Sequence, residues 1–508
     1  MKKFLSITLS LLLAASMPLS ALAETYDLAQ GSITVEAKAD GNQYVSQTGG
    51  VQQQQQTTDT VINQTDSNTT STNNTITIQA EKNQTAQVTI SDVNINVSKE
   101  GKAAISTGGD GSVTIELDGN NTAKGGNNHA GVEKNNGGNL TITDDDGDGT
   151  LEATGGKYGA GIGGGDVQSV SDITINGGDI TAIGGRGGAG IGGGHEGAGS
   201  NITISGSAEV TATGGYYGAG IGGGCKWNGS NITINGNAEV EAVGGDYGAG
   251  IGGGIYGNGS HITISGNAEV TAKGDGAGIG GGEFGNGSDI TINGNAGVIA
   301  NGGPLAAGIG GGYMSGGSDI TIDDDANVEA NGGAKGAGIG GGYEGYGSSN
   351  ITVSGDAQVK VSSGENAADI GNGATQIGQG SAVKPNTDNL TTGFIGYYAP
   401  GADKSQQPPK KLLHKDDSSV YTHTDVPLKS STEATCLNNA TVTYLCTFGG
   451  EITTELLNTA LGHKLGEYTS NNDATCEQDG TKTAKCVRYG QGGCTATDTV
   501  TDVGSKLG

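Results

Sequence analysis

The chain has 508 residues, of which 101 are glycine and only 7 are proline, and it carries a formal net charge of −28. So much glycine with so little proline excludes a collagen-like triple helix. The strongly acidic balance argues against nucleic acid and anionic membranes as partners, and it favours divalent cations or neutral polymers.

The first 23 residues have the pattern of a secretory signal peptide. Two lysines precede an apolar run over residues 4–15, and Ala21-Leu22-Ala23 places small residues before a cleavage site. A retained membrane anchor is the alternative, but the run is short for a membrane span. We therefore expect a mature chain that begins near Glu24 and is secreted, extracellular and displayed at the cell surface.

Residues 24–74 begin with a strand-like segment, YDLAQGSITVEAKADGNQYV, and continue into a low-complexity stretch rich in Gln, Thr and Asn. That stretch holds too little apolar surface to pack, so we interpret it as a surface loop.

A repeat of about 30 residues dominates the predicted solenoid, residues 75–396. The motif S-[NDH]-I-T recurs with spacings of 29, 30, 30, 28, 30 and 31 residues, beginning at Ser171, Ser200, Ser230, Ser260, Ser288, Ser318 and Ser349. Such a period indicates a solenoid in which each repeat is one coil that cannot bury its apolar face alone.

Alternation within one coil predicts three short strands. Ile202 and Ile204 share one side of NITI, Val210 has alanines two residues away on either side in AEVTA, and Ala219 and Ile221 alternate with glycines in GAGIGGG. Period two in all three runs, joined by polar corners, predicts an all-β fold, a right-handed parallel β-helix. The alternating glycines are expected to form an outer strip without side chains, which either permits tight corners or lets a flat ligand approach the backbone.

Beyond the solenoid the composition changes. Residues 397–420 contain prolines and charges and are interpreted as a linker. Residues 421–508 then repeat with a period of 40, which predicts two tandem Cys-containing β modules, with truncation before a third as a further expectation.

The cysteines of these modules predict disulfides, because the expected export places them in an oxidising compartment. The natural local pairs are Cys436–Cys446 and Cys476–Cys486. Cys494 is a rival partner, and Cys225 is a lone thiol in a solenoid loop. Zinc binding through His423 and His463 is the alternative, although each module offers few ligands at suitable spacing.

The sequence DDDGDG carries part of a calcium-loop pattern. Asp144, Asp146 and Asp148 match positions 1, 3 and 5 of such a loop, and Glu152 matches position 9. Gly155 stands where the bidentate glutamate of position 12 belongs. A calcium site and a solvated acidic turn are both left open by this pattern.

Two polar columns follow from the coil alignment. Acidic side chains recur at one outward position of successive coils, namely Asp179, Glu209, Glu239 and Glu269. Stacking of the coils would place these like charges about 4.8 Å apart. Amide and acid side chains recur after the motif serine and are interpreted as structural ladders, in Asn201, Asn231, Asp289, Asp319 and Asn350.

Aromatic residues are few and are placed at both ends of the glycine-rich run. Those before GAGIGGG are Tyr158, Tyr217 and Tyr247. Those after it are Trp227, Tyr256, Phe284, Tyr313 and Tyr343. Exposed rings beside a flat floor suit stacking on sugar faces, whereas packing that shields the coil edges is the structural alternative.

No unique cluster of acid or base stands out as catalytic. The acidic residues repeat along the solenoid, and His195 with Glu196 is the best isolated candidate for a lyase or hydrolase. We therefore expect a protein without enzymatic activity.

The segments YDLAQGSITVEA and GNLTITDDDGDGTLEATGG, together with the GAGIGGG coils, resemble exported surface proteins of clostridia-like bacteria with a carbohydrate-binding parallel β-helix domain. The two ATC…C units are similar to small Cys-containing repeats at the C-termini of such proteins, except that CVRYGQGGC alters the usual spacing. The resemblance implies binding of plant cell-wall polysaccharide, cellulose or acidic pectin-type chains, with calcium on the β-helix. The expected partner is therefore a polysaccharide, from plant cell wall or host glycan. The alternatives are a structural adhesin or spacer and a polysaccharide lyase or hydrolase.

Overall fold

The computed structural model describes residues 24–50, 60–67, 70–404, 407–416, 419–423, 427–446, 450–457, 459–476, 478–491, 494–503 and 505–506. The predicted signal peptide, residues 1–23, lies outside the described residues.

Three long sheets run side by side along the chain, and each coil contributes one strand to each of them. Sheet 1 consists of β1 (Glu24–Asp27), β4 (Thr60–Asn63), β6 (Thr85–Ser91), β9 (Ser112–Asp118), β12 (Leu140–Thr143), β15 (Val170–Ile175), β18 (Gly199–Ile204), β21 (Gly229–Ile234), β24 (Gly259–Ile264), β27 (Gly287–Ile292), β30 (Gly317–Ile322) and β33 (Ser349–Val353).

Sheet 2 holds the glycine-rich strands and their equivalents. It consists of β2 (Ile33–Ala37), β3 (Gln43–Gln47), β5 (Ile76–Ala80), β8 (Ile105–Gly108), β11 (Val132–Glu133), β14 (Ile162–Gly163), β17 (Ile191–Gly192), β20 (Ile221–Gly222), β23 (Ile251–Gly252), β26 (Ile279–Gly280), β29 (Ile309–Gly310), β32 (Ile339–Gly340) and β35 (Ile370–Gly371).

Sheet 3 closes each coil and extends past the last one. It consists of β7 (Asn94–Asn96), β10 (Asn120–Lys124), β13 (Thr150–Thr154), β16 (Asp179–Ile183), β19 (Glu209–Thr213), β22 (Glu239–Val243), β25 (Glu269–Lys273), β28 (Gly297–Asn301), β31 (Asn327–Asn331), β34 (Gln358–Ser362), β36 (Phe394–Tyr398), β37 (Lys411–Asp416) and β38 (Ser419–His423).

The predicted all-β parallel solenoid is confirmed. Equivalent residues of successive coils pair in register, as Ser200 does with Ser230 and Ile221 with Ile251. No α-helix occurs in the described part of the chain, which contains only one 3-10 turn at Leu28–Gln30. Within that part, no helix has the length and apolar character needed to cross a membrane.

The core is a set of apolar columns inside the coil. The inward residues of one coil are at most 1% exposed, as their alternation predicted, namely Ile202, Ile204, Val210 and Ile221. Each buried isoleucine or valine stabilises the fold by roughly 1.5–3 kcal/mol. Because every coil repeats these positions, the core is one continuous cluster from Leu28 to Leu413.

Both ends of the solenoid differ from the predicted boundaries. The opening segment is part of the coil stack, because β1 pairs in parallel with β4 and β2 with β5. At the other end, the predicted linker over residues 397–420 contains β37 and the first two residues of β38, and these strands continue sheet 3 in antiparallel fashion beyond β36. All five residues of FIGYY are buried there, as are the adjacent Leu412 and Leu413 of KLLHKD. The prolines between the two segments hid these strands in the sequence.

Two small antiparallel sheets follow. Sheet 4 consists of β39 (Leu428–Ser431), β40 (Thr441–Cys446) and β41 (Gly450–Glu455), and sheet 5 of β42 (Thr469–Ser470), β43 (Thr481–Lys485) and β44 (Thr497–Thr501). Sheet 4 packs on the end of the solenoid, where Val442, Tyr444 and Leu456 share an apolar cluster with Phe394 and Tyr398. The two tyrosine hydroxyls of that cluster are hydrogen-bonded at 2.7 Å.

Candidate functional site

The glycines of GAGIGGG are buried, contrary to the outer strip that their alternation predicted. Every residue of the glycine segment 218–224 is buried, and the equivalent segments 159–165 and 248–254 are buried in the same way. An exposed floor of glycine for a flat ligand is therefore wrong.

Close backbone packing explains why these positions are glycine. A Cβ atom on Gly220 would lie 2.6 Å from the oxygen of Gly250 and 2.8 Å from the nitrogen of Val243. One on Gly224 would lie 1.9 Å from the oxygen of Gly194. Contacts this short to backbone atoms cannot be relieved by a side-chain rotation, so the segment accepts no side chain at these points.

The turns before and after each glycine segment fold over it and meet. The backbone N–H of Ile255 donates to the oxygen of Tyr217 at 3.0 Å, and that of His195 donates to the oxygen of Tyr158 at 2.8 Å. The aromatic residues of the two turns therefore lie along one corner of the solenoid, not on two separate rims.

We call this surface the aromatic band. It comprises all eight aromatic residues predicted from the sequence and Tyr216, which the sequence analysis missed, namely Tyr158, Tyr216, Tyr217, Trp227, Tyr247, Tyr256, Phe284, Tyr313 and Tyr343. None of these side chains is fully buried. The adjacent YY pair at Tyr216 was the signal that could have added it to the prediction.

Four of the rings form a ladder along the axis. Their centroids are separated by 4.9 Å from Tyr256 to Phe284, 5.4 Å from Phe284 to Tyr313, and 5.9 Å from Tyr313 to Tyr343. The first and last pairs are stacked, so much of their ring faces is used within the ladder. Tyr256 ends the ladder and is 55% exposed.

A second group lies further toward the N-terminus. Tyr216, Tyr217 and Tyr247 are in mutual ring contact, with centroids 4.6–5.7 Å apart. The Arg186 guanidinium lies 5.9 Å and 5.8 Å from the first two ring centroids, within cation–π range. Trp227 is 47% exposed and takes part in no ring pair among the described residues, so neither face of its indole is covered by another of those aromatic rings.

Acidic groups accompany the band. Glu283, next to Phe284, is partly buried, and burial followed by the charge of Asp275 raises the pKa of its carboxyl. Asp246 is exposed beside Tyr247. These charges disfavour an acidic polymer along this corner.

The predicted calcium residues are only partly brought together. Oxygen atoms of Asp144 and Asp146 lie within 4.8 Å of one another and of a Glu116 oxygen, which the sequence pattern did not include. Asp148 is exposed, and the charge of Asp146 is the main cause that raises its pKa. Glu152 points elsewhere, since it forms an ion pair of 3.0 Å with Lys124.

The DDDGDG turn also differs from a calcium loop in how it is held. The two carboxylate oxygens of Asp144 accept backbone N–H groups of Gly147 at 2.9 Å and Gly149 at 3.2 Å. Glu116 accepts the N–H of Asp145 at 2.8 Å. The loop pattern did not include Glu116 because this residue belongs to the preceding coil, and the in-register pairing of β9 with β12 brings it beside the turn.

The amide columns are structural, as interpreted. Asn231 donates to Asn201 at 3.1 Å, and Asn201 donates to Asp172 at 2.9 Å. The φ angles of Asn201 and Asn231 are 50° and 52°, a left-handed conformation that Asn and Asp adopt more readily than other non-glycine residues. This conformation explains the recurrence of Asn, Asp and His at the position.

The catalytic candidates His195 and Glu196 have separate partners. Asp166, His195 and Cys225 occupy one position in three successive coils, and the His195 Nδ1 atom lies 3.1 Å from the Asp166 carboxylate. Among the described contacts, none links the imidazole to the thiol, and burial raises the pKa of Cys225. Glu196 pairs with Lys226 at 3.1 Å instead of with His195.

The predicted local disulfides are not formed by the described cysteines. Cys436, Cys476 and Cys486 are free thiols, and the side chain of Cys446 lies outside the described residues, as does that of His423. Cys476 is in an exposed turn, whereas Cys486 follows the buried Ala484 by two residues and faces Cys436 across the two small sheets. Cys476 and Cys486 therefore lie in different environments and do not form the predicted disulfide.

The acidic column exists as predicted. Asp179, Glu209, Glu239 and Glu269 are paired in register. Glu269 lines a cavity of about 390 Å³ between the solenoid and sheet 4. Burial, then the charges of Glu239 and Glu455, raise its pKa to about 7.

Comparison with known families agrees with this architecture. A family model described as a Beta helix repeat matches residues 146–166, 173–195, 202–225, 232–255, 262–283 and 320–343. The chain carries a parallel β-helix domain. No curated protein and no solved structure matches the chain significantly. The β-helix fold is consistent with a surface or polysaccharide-related protein, and it occurs both in polysaccharide lyases and hydrolases and in proteins without enzymatic activity.

Proposed function

We propose that this protein is a secreted, cell-surface polysaccharide-binding protein without enzymatic activity. The observation that carries the proposal is the aromatic band, which places nine partly exposed rings along one corner of a rigid solenoid. Aromatic rings pack against the apolar faces of sugars, and a row of them suits a polymer better than a single sugar. The binding surface proposed here is the band itself and not the buried glycine segments.

Within the band, Trp227 and Tyr256 are the best-placed residues for sugar stacking. Trp227 is 47% exposed outside any ring pair of the described residues, and Tyr256 is the most exposed ring of the ladder. The other ladder rings offer mainly edges, because they stack on one another. We therefore expect the ligand to be held most strongly where these two residues lie on adjacent coils.

The ligand proposed is a neutral polysaccharide. The net charge of −28 and the acidic groups at Asp246 and Glu283 would repel acidic pectin-type chains unless cations intervene. Neutral plant cell-wall polymers or neutral host glycans avoid that repulsion.

The test is retention of the mature chain on insoluble cellulose, xylan, pectin and mucin. We expect retention on a neutral polymer, a reduction of about tenfold with Trp227→Ala or Tyr256→Ala, and unchanged retention with Tyr468→Ala. The last variant removes a tyrosine that is 41% exposed outside the solenoid. No retention on any polymer would overturn the proposal and favour a structural spacer, and release of soluble sugar would favour a lyase or hydrolase.

We also propose that calcium binds at the corner formed by Glu116, Asp144 and Asp146. Three carboxylates from two successive coils approach one another there, and hard oxygen ligands are those that calcium prefers. The ion would relieve the repulsion between these carboxylates and join the two coils.

A further inference from the structure

Four metal-ligating side chains from the two C-terminal sheets converge on one point. The sulfur atoms of Cys436, Cys486 and Cys494 and a ring nitrogen of His463 all lie within 4.8 Å of one another. The three cysteines are buried, at 5%, 2% and 0% exposure. This cluster lies outside the solenoid and shares no residue with the aromatic band.

The distances within the cluster are those of ligands around a tetrahedral ion. The Cys436 and Cys486 sulfurs are 3.8 Å apart, and the Cys494 sulfur is 3.4 Å from the His463 Nδ1 atom. Zinc with bonds of about 2.3 Å to sulfur and about 2.0 Å to nitrogen places tetrahedral ligand atoms about 3.8 Å and about 3.5 Å apart. A disulfide would require a sulfur–sulfur distance of about 2.0 Å.

Donors around the sulfurs suit thiolates. The Arg488 Nε atom donates to the Cys436 sulfur at 3.0 Å. The same guanidinium is fixed by the backbone oxygens of Leu461 and Gly462 at 2.9 Å and 2.7 Å. Such outer hydrogen bonds orient metal ligands and stabilise their charge.

Sheet 5 also lacks a hydrophobic core large enough to hold it. Between residues 459 and 506, the buried apolar side chains of the described residues are Ala484, Cys486 and Cys494. Small domains of this kind usually fold with a disulfide or a structural metal ion. Sheet 5 has this cluster of metal-ligating side chains where a hydrophobic core would lie, so a bound metal ion would supply the stabilisation that the missing core does not.

We propose that Cys436, His463, Cys486 and Cys494 bind one structural zinc ion that joins sheet 4 to sheet 5. Three cysteines and one histidine form a closed set for structural zinc, with no open position for catalysis. Binding releases the three thiol protons, and the ion stabilises the fold directly.

The zinc ligands are divided between the two modules, so neither module alone contains enough of them. The 40-residue period makes Cys436 the equivalent of Cys476, so the site takes this cysteine from the preceding unit and the other three ligands from the following one. Cys476 itself is exposed and free. It provides a matched control, because it has the same ATC context without belonging to the site.

The experiment measures metal in the mature full-length chain, purified without chelator and without added reductant, so that either a bound metal ion or a disulfide is preserved. Elemental analysis is expected to give one zinc ion per chain. Replacement by Co²⁺ is expected to give the visible absorption of a tetrahedral, thiolate-rich cobalt site. Cys494→Ser and Cys436→Ser should lose the stoichiometric ion, and Cys476→Ser should keep it.

X-ray absorption at the zinc edge of the unsubstituted protein keeps the test independent of whether a variant folds. Three sulfur neighbours and one nitrogen neighbour would support the site. A metal-free protein that gives no cobalt spectrum would overturn it, as would a stoichiometric Cys436–Cys486 disulfide in a non-reducing peptide map. Zinc retained by Cys494→Ser but lost by Cys476→Ser would also overturn the ligand set proposed here.

Discussion

The Lys360 ammonium donates a hydrogen bond of 2.7 Å to the backbone oxygen of Glu455, which joins strand β34 of the solenoid to strand β41 of sheet 4. The lysine has no exposed surface, and its second bond, to Asn327 Oδ1, is 3.0 Å long. Burial lowers the pKa of Lys360 to about 8. The contact therefore fixes the first C-terminal sheet on the solenoid at the cost of a buried charge.

We predict that Lys360→Met weakens the docking of sheet 4. The substitution removes the charged donor from the partly buried contact with the Glu455 oxygen, which costs about 1–3 kcal/mol. Hydrogen exchange at β39–β41 should accelerate relative to the unsubstituted protein. Lys335→Met is the control, because Lys335 lies at the surface of the same solenoid and pairs with Glu365. Equal protection in both variants would contradict the docking role.

Glu269 gives a prediction for pH. Its folded pKa of about 7 lies above its usual value, so the folded state binds more protons than the unfolded state in that window. Stability is then expected to fall as pH rises from about 4.5 to 7, by roughly 1 kcal/mol after allowing for screening at a partly exposed group. Thermal unfolding of Glu269→Gln at pH 5 and pH 8 should show a smaller pH difference than the unsubstituted protein. Glu241→Gln, on an exposed neighbour, should leave that difference unchanged.

A methyl group in the glycine segment should destabilise the coil. Gly220→Ala would place Cβ against the backbone of Gly250 and Val243, and overpacking of this kind costs about 1–3 kcal/mol. Gly101→Ala adds a Cβ with nothing within 4 Å and should have little effect. Denaturant unfolding of both variants measures the difference. Equal stabilities would contradict the close packing described above.

Calcium should stabilise the protein through the acidic corner. We expect added calcium to raise the unfolding temperature, and Asp146→Asn to remove that rise because it deletes one of three converging carboxylates. Glu152→Gln should retain the rise, since Glu152 pairs with Lys124 instead. An unchanged unfolding temperature in calcium and in chelator would contradict a calcium site.

The repeat length, the three strands and the inward residues could all be predicted because period-two alternation survives in every coil. The burial of the glycines could not, since alternation distinguishes two sides of a strand but not whether a turn covers the outer one. Glu116 was missed for a related reason, as its neighbours Asp144 and Asp146 come from the next coil. The C-terminal cluster was missed because its ligands are divided between two units, and a search within one unit finds too few.

At each end of the coil stack, one of the three sheets finishes in antiparallel strands. Strand β3 pairs antiparallel with β2 at one end, and β37 and β38 follow β36 antiparallel at the other. An uncovered parallel edge would accept further copies and grow into a fibre. The antiparallel strands interrupt this parallel stacking in sheet 2 at one end and in sheet 3 at the other. The number of coils then sets the length of the solenoid, and gaining or losing one repeat unit would change that length by about 4.8 Å.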